Sequence, residues 1–270
     1  MQIINFLYPE KSEIKYRIDT YPDSQSHLVL ESEMDRRESL YIYTRLSNLD
    51  DIWILLQLAD ICHRQGIIIG FLNIYYLFAA RTDRLFSNNE SLDLDIVYKL
   101  IKSIKAKKVY ILEPHSDRIY DLDDTGTFVK NNNGINILYK NANGTILLPD
   151  QGAYSRYIIN IPDKYPVIYA SKIRSKDGIN IKINSSLIIP ISTYYVIDDL
   201  CDGGGTFVAI YNELTRLGVK DIHLRVIHAI QKEALIKLSK LYKTITITNS
   251  YKDWDKEELP NNIKVIKVYE

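Results

Sequence analysis

Residues 194–207 read Y-Y-V-I-D-D-L-C-D-G-G-G-T-F, and the fold follows from how that stretch is parsed. Residues 193–197 are β-branched and aromatic, the composition of a buried strand. Asp198 and Asp199 stand where that strand is expected to end. Asp202, Gly203, Gly204, Gly205 and Thr206 follow. Phe207, Ile210, Tyr211, Leu214 and Leu217 then recur at helical spacing, with Gly218 as the stop. The order is strand, acidic turn, glycine loop, helix.

That order carries a specific chemistry. Glycines let the backbone turn tightly and bring bare N–H groups up to an anion. The helix behind them adds its positive N-terminal end. A phosphate therefore fits at residues 202–206, with the Thr206 hydroxyl as a further donor. Carboxylates repel phosphate, so Asp198 and Asp199 need another role. They suit a neighbouring pair of sugar hydroxyls, or a magnesium ion. Phosphate, diol and metal together describe a ribose phosphate. The plain alternative is an acidic, glycine-rich turn with no ligand.

Working outward, 270 residues allow one large or two medium domains. Lys and Arg number 34, balanced by 34 Asp and Glu, so no electrostatic case exists for nucleic acid or an anionic membrane. Cys62 and Cys201 make no disulfide framework and no metal-type spacing. The N-terminal M-Q-I-I-N-F-L-Y-P-E-K lacks the basic start and long apolar run of a signal peptide, and no run suffices to span a bilayer. A reducing cytoplasm is the expected setting.

Along the chain, residues 3–7, 27–30 and 40–44 read as strands. A helix is expected over 48–65, with Ser47 and Asp50 as its capping box, an apolar stripe of Ile52, Leu55, Leu56 and Ala59, and Gly66 as terminator. A buried strand at 67–74, a polar loop through Arg81 and Arg84, a helix at 91–105 with Leu94, Val97, Tyr98 and Ile101 on one face, and a strand at 108–112 follow. This alternation implies right-handed parallel βαβ units with functional loops at the C-terminal strand ends. Asparagine and glycine crowd residues 121–144, so a domain boundary is placed there, dividing 1–130 from 131–270. The second half repeats the pattern. Strands are expected at 145–148 and 167–170, a hairpin or flap from 178–183 and 187–191, then the central motif. Strand 221–227, helix 229–241 and strands 244–247 and 263–268 close it. The fold class is α/β, in two halves of similar βα content.

With that order in hand, the chain resembles the ribose-phosphate pyrophosphokinase family, as a short, diverged member. The central D-D-L-C-D-G-G-G-T is similar to the phosphoribosyl-pyrophosphate motif, two acids and then D-T-G-G-T, which phosphoribosyltransferases share. Gly203 stands for the usual threonine, removing a donor to the 5-phosphate and opening space. I-Y-Y-L-F-A-A-R-T-D-R, residues 74–84, resembles the ATP-binding stretch I-P-Y-F-G-Y-A-R-Q-D-R, so Arg81, Thr82 and Arg84 fall on its positions. E-P-H-S, residues 113–116, resembles D-L-H-A, which makes His115 a magnesium ligand. L-P-D-Q-G, residues 148–152, resembles S-P-D-x-G-G, which makes Asp150 the other ligand and Asp150, Gln151 and Gly152 a pyrophosphate loop. S-K-I-R-S-K, residues 171–176, resembles D-K-R-R-P-R at the base of a catalytic flap; Lys172 and Arg174 are kept and Ile173 loses an arginine. Y-P-D-S-Q is a weaker likeness to F-S-D-G-E, placing Tyr21, Asp23 and Gln25 against the adenine of a neighbouring subunit.

The resemblance implies two phosphoribosyltransferase-like domains, each a mainly parallel sheet flanked by helices, and at least a dimer. It implies a magnesium- and ATP-dependent transfer of diphosphate to the 1-hydroxyl of ribose 5-phosphate, with release of AMP. Positioning and charge neutralisation dominate such a transfer. Lys172 and Arg174 are its candidate catalytic residues, and Arg81 suits a bidentate phosphate clamp. Taken singly, each has a bland reading: His115 as a loop histidine, Arg81 paired with Asp83, Lys172 and Arg174 as a solvated strand end, Asp150 as a turn residue. Their joint placement at predicted strand ends, in one order, separates them from that. Because Gly203 trims the phosphate loop, ADP-ribose is an alternative acceptor. A phosphoribosyltransferase and a non-catalytic nucleotide-binding regulator are the competing classes.

Overall fold

Leu40–Leu46 alternates Leu, Ile, Thr and Leu with Tyr, Tyr and Arg, and every second side chain is buried. Period 2 is what a pleated strand with one face on a core requires. The computed structural model describes residues 1–131, 133–175 and 178–269, apart from the side chains of 131, 133 and 172–180. The chain divides into two units, Met1–Asn131 and Asn132–Glu270.

In the first unit, β1 (Gln2–Asn5), β4 (Leu40–Leu46), β5 (Ile69–Leu77), β6 (Lys108–Leu112) and β7 (Phe128–Asn131) form one parallel sheet in that order. β2 (Tyr16–Thr20) and β3 (Ser26–Leu30) form a separate antiparallel hairpin. Helices α1 (Leu49–Gln65), α2 (Asp93–Ser103) and α3 (Arg118–Asp121) connect the strands. Ile42, Leu72 and Ile111 from the sheet share a core with Leu55, Leu58 and Ile101 from the helices. Truncating a side chain as fully enclosed as Leu58 to alanine costs about 2–5 kcal/mol.

The α1 cap lies one residue beyond the sequence expectation. Asn48 is the N-cap and Asp51 closes the box, accepting from the N–H groups of Ser47 and Asn48. Gly66 ends the helix in the left-handed region, as its position predicts. β2 was not foreseen at all. Its hairpin is fastened to α1 by side chains: Gln57 accepts from the Leu28 N–H at 2.8 Å, and Trp53 and Gln57 both donate to the Ser26 carbonyl.

In the second unit, α4 (Asn133–Tyr139) precedes β8 (Thr145–Leu148), α5 (Gln151–Tyr157) and β9 (Val167–Tyr169). β10 (Ser171–Ser175) pairs antiparallel with β11 (Gly178–Lys182). Then come β12 (Thr193–Cys201), α6 (Gly205–Arg216), β13 (Asp221–Ala229), α7 (Lys232–Ser239), β14 (Thr244–Thr248) and β15 (Ile263–Ile266). The sheet runs β15-β14-β13-β12-β8-β9 with every pairing parallel. Its core joins Val196, Leu224 and Ile245 to Phe207, Ile210, Leu235 and Leu238.

Two expectations are corrected here. The hairpin forms between β10 and β11, and residues 187–191 take no part. Ser185–Leu187 is a tight turn, and Pro190 has no N–H for a ladder. β12 also continues through both aspartates to Cys201, because β13 keeps pairing alongside it as far as Ala229.

Candidate active site

Chain direction locates the site in the second unit. From β8 the chain moves outward to β9, then returns to place β12 on the other side of β8 and continues to β15. The order reverses between β8 and β12. In an open α/β sheet, ligands bind beyond the C-terminal strand ends at such a reversal. Asp150 follows β8, and Asp198, Asp199 and residues 202–206 end β12. The flap base at Ser171 follows β9, the next strand out.

The two aspartates differ in environment. Asp199 is buried, and its Oδ1 accepts from Arg156 Nη1 at 3.3 Å. Asp198 is partly exposed, and its Oδ1 accepts from the Asp199 N–H at 3.0 Å. Burial raises the Asp198 carboxyl well above its ordinary pKa, and the negative charges of Asp199 and Asp150 push the same way.

The glycine loop leaves a helix end open. Asp150 caps α5 by accepting from the Ala153 N–H at 2.9 Å, and Asn48 caps α1. At α6 the N-cap is Gly204 (φ 74°, ψ 4°), and among the described residues no side chain caps it, as at α2 and α7. The first-turn N–H groups of an α-helix lack helical partners and favour an anion. Among the described residues nothing lies within 4 Å of where a Cβ on Gly203 would sit, so that flank of the loop has room. Asp202 is held by Gln231, whose Nε2 donates to Oδ1 at 2.8 Å.

Lys172 and Arg174 lie on β10, and their side chains are outside the described residues. Gln151 and Gly152 form the first turn of α5, so the predicted pyrophosphate loop is a helix start capped by Asp150.

In the first unit, Arg81, Thr82 and Arg84 follow β5 and His115 follows β6. These strands are paired neighbours, so both segments reach the same sheet edge. Thr82 donates to Asp93 Oδ2 or the Ala79 carbonyl, both at 3.1 Å. Asp83 pairs with Arg84 at 3.4 Å. Tyr21, Asp23 and Gln25 form the tip between β2 and β3, closed by the Tyr21 N–H on the Gln25 carbonyl. Among the described residues, five non-glycine positions have positive φ, and Ser24, Ala79 and Glu113 sit inside or beside these three segments. Left-handed backbone at non-glycine residues concentrates where a site over-determines its geometry. No residue pattern in these segments foretells it.

Two site residues were missed in the sequence. Arg156 is the one basic residue of α5, and Gln231 opens α7. Both act across the fold on β12 or its loop, so no local motif points to them.

Among the described residues no group of three or more His, Cys, Asp and Glu side chains is arranged to hold a metal. Magnesium keeps most of its waters and takes one or two carboxylates, so it needs no such cluster. The charges of Asp199 and Asp150 both bear on Asp198, and a divalent cation at Asp150 would relieve that repulsion, so a carboxylate there fits one. No helix among the described residues is long and apolar enough to cross a membrane.

Two units built on mainly parallel sheets flanked by helices, the second with a glycine loop at a strand-order reversal, define an α/β class. No family model matches the chain. It is similar to the ribose-phosphate pyrophosphokinase of Pyrococcus abyssi, 23% identical over 259 residues covering 88% of this chain and 84% of that protein. That of Prochlorococcus marinus is 26% identical over 228 residues, 81% of this chain and 69% of that one. That of Saccharolobus solfataricus is 22% identical over 266 residues, 90% and 87%. The fold matches a crystal structure of phosphoribosylpyrophosphate synthetase from Mycobacterium smegmatis, with a TM-score of 0.78 at 15% identity over 99% of this chain and 95% of that one. Over most of its length the chain is similar to ribose-phosphate pyrophosphokinases, which are enzymes of the transferase class.

Proposed function

We propose that this chain transfers the β,γ-diphosphate of ATP to the 1-hydroxyl of a ribose 5-phosphate group, ribose 5-phosphate itself giving phosphoribosyl pyrophosphate and AMP. The observation that carries the reading is the uncapped α6 N-terminus set behind the Asp198–Asp199 pair at the β8–β12 reversal. The N–H groups of the 202–206 loop and the Thr206 hydroxyl take the 5-phosphate. Asp198 and Asp199 accept from the sugar hydroxyls. Residues 150–152 cradle the diphosphate being transferred. Arg81, Thr82 and Arg84 bind ATP in the first unit, with Tyr21, Asp23 and Gln25 offered to the adenine of a neighbouring copy in a homo-oligomer of two or more chains.

The sugar 1-oxygen attacks the β-phosphorus. The bond from that phosphorus to the α,β-bridging oxygen breaks, AMP leaves with that oxygen, and the hydroxyl proton passes to water. Asp150 in the second unit and His115 in the first are the candidate ligands, by resemblance, of a magnesium ion, which would supply charge neutralisation. Lys172 and Arg174 balance charge growing on the leaving group.

A second reading keeps this chemistry with ADP-ribose as acceptor, and the space beside Gly203 favours it. The test is AMP release from ATP and magnesium with ribose 5-phosphate, ADP-ribose or no acceptor, for wild type and Lys172→Ala. Release that needs ribose 5-phosphate and is lost in Lys172→Ala is expected. Release with ADP-ribose alone selects the second reading. No release with any acceptor, despite nucleotide binding, rejects both and leaves a regulator; transfer from phosphoribosyl pyrophosphate to a base leaves a phosphoribosyltransferase.

A further inference from the structure

Asp199 is 3% exposed, and a carboxylate withdrawn that far from water needs a counter-charge. Arg156 supplies one. Its Nη1 lies 3.3 Å from Asp199 Oδ1, while the same nitrogen reaches the Tyr157 hydroxyl at 3.5 Å and the guanidinium lies 5.6 Å from the centre of that ring. Tyr157 is itself 1% exposed, so the arginine head rests on a fixed wall. The placement of Arg156 is the notable point. It rides near the end of α5, whose first turn is the 150–152 segment and whose N-cap is Asp150. One short helix thus carries a residue of the diphosphate loop at its start and a contact to the ribose strand near its end.

We infer that Arg156 is a positioning residue for the acceptor, acting through Asp199. Its ion pair fixes the β12 carboxylates toward the sugar hydroxyls from across the β8–β12 reversal. The inference rests on the proposed reaction. Arg156 touches no reacting atom in it, and its ion pair is to a carboxylate on the acceptor side.

The test compares Arg156→Met and Arg156→Lys with wild type in AMP release, varying ribose 5-phosphate and ATP separately. Misplacement of a reacting group by about 1 Å costs on the order of 100-fold, and Arg156→Met is expected to lose that much kcat/KM for the acceptor. The KM for ATP should hold. Arg156→Lys retains the charge but not the planar fork, so it is expected to fold and to raise the acceptor KM less. Calorimetric titration of ribose 5-phosphate into both variants gives a readout independent of turnover. An unchanged acceptor KM in the folded variants, or an equal rise for both substrates, overturns the role of Arg156. If wild type neither binds ribose 5-phosphate nor releases AMP with it, the proposed reaction has failed instead.

Discussion

Gly203 and Gly204 are adjacent, yet alanine is expected to act oppositely at the two. Gly204 holds φ 74°, a left-handed conformation that costs an L-residue roughly 1–2 kcal/mol. A Cβ there also meets Leu238 Cδ1 at 3.0 Å, a contact the end of a leucine can relieve. Alanine returns about 0.4–1 kcal/mol by restricting the unfolded chain, so Gly204→Ala should lose about 1 kcal/mol net. Gly203 has no left-handed φ, and its Cβ would meet nothing within 4 Å. Gly203→Ala keeps only the unfolded-state term and should gain about 0.5 kcal/mol. The variants then differ by about 1.5 kcal/mol, roughly 3–6 °C in Tm for a chain of this size. Thermal melting by circular dichroism reads that gap. Melting again with ribose 5-phosphate separates stability from site geometry, since a ligand raises Tm according to its affinity. Gly203→Ala should keep that ligand shift and Gly204→Ala should lose most of it, because the left-handed turn aims the α6 N–H groups. Gly204→Ala melting at or above Gly203→Ala, or retaining the full ligand shift, would refute the reasoning.

Other expectations follow from burial. The folded pKa of Asp198 is raised, so the native state binds more protons than the unfolded chain, and its stability falls as pH climbs from the ordinary carboxylate value toward the raised one. Asp198→Asn should therefore raise Tm more at pH 8 than at pH 4 while abolishing ribose 5-phosphate binding; a gain independent of pH contradicts it. Burial pushes the thiols of Cys62 and Cys201 up to about 12, so both stay protonated at pH 8. A chromogenic disulfide reagent should titrate neither in the native protein and both in denaturant. The buried Tyr242 hydroxyl donates to the Phe207 carbonyl at 2.7 Å, and Tyr242→Phe should cost about 1 kcal/mol in urea unfolding. No loss would mean that this bond contributes nothing net.

What the sequence made legible was whatever depends on neighbours a few residues away. The apolar period of α2 foretold Leu94, Val97, Tyr98 and Ile101 as its buried face, and all four are buried. Gly66 and Gly218 foretold two chain reversals and sit at φ 69° and 88°. Where a distant partner decides, the reading slipped. The aspartates were expected to end β12, but Asp198 lies opposite Val226 and Leu200 opposite His228, so β13 holds the strand past them. An aspartate inside a central strand is poor β material by propensity. Its presence there makes sense once Arg156, 43 residues away, is seen to meet Asp199. The helix that brings Arg156 into place is only seven residues long. No periodic signal marks so short a helix, and it is capped by the same Asp150 that the motif marked for other reasons. Each of these local departures falls on a residue that the proposed reaction uses or on the one that holds it. That is the pattern expected where a binding site rather than stability has set the residue.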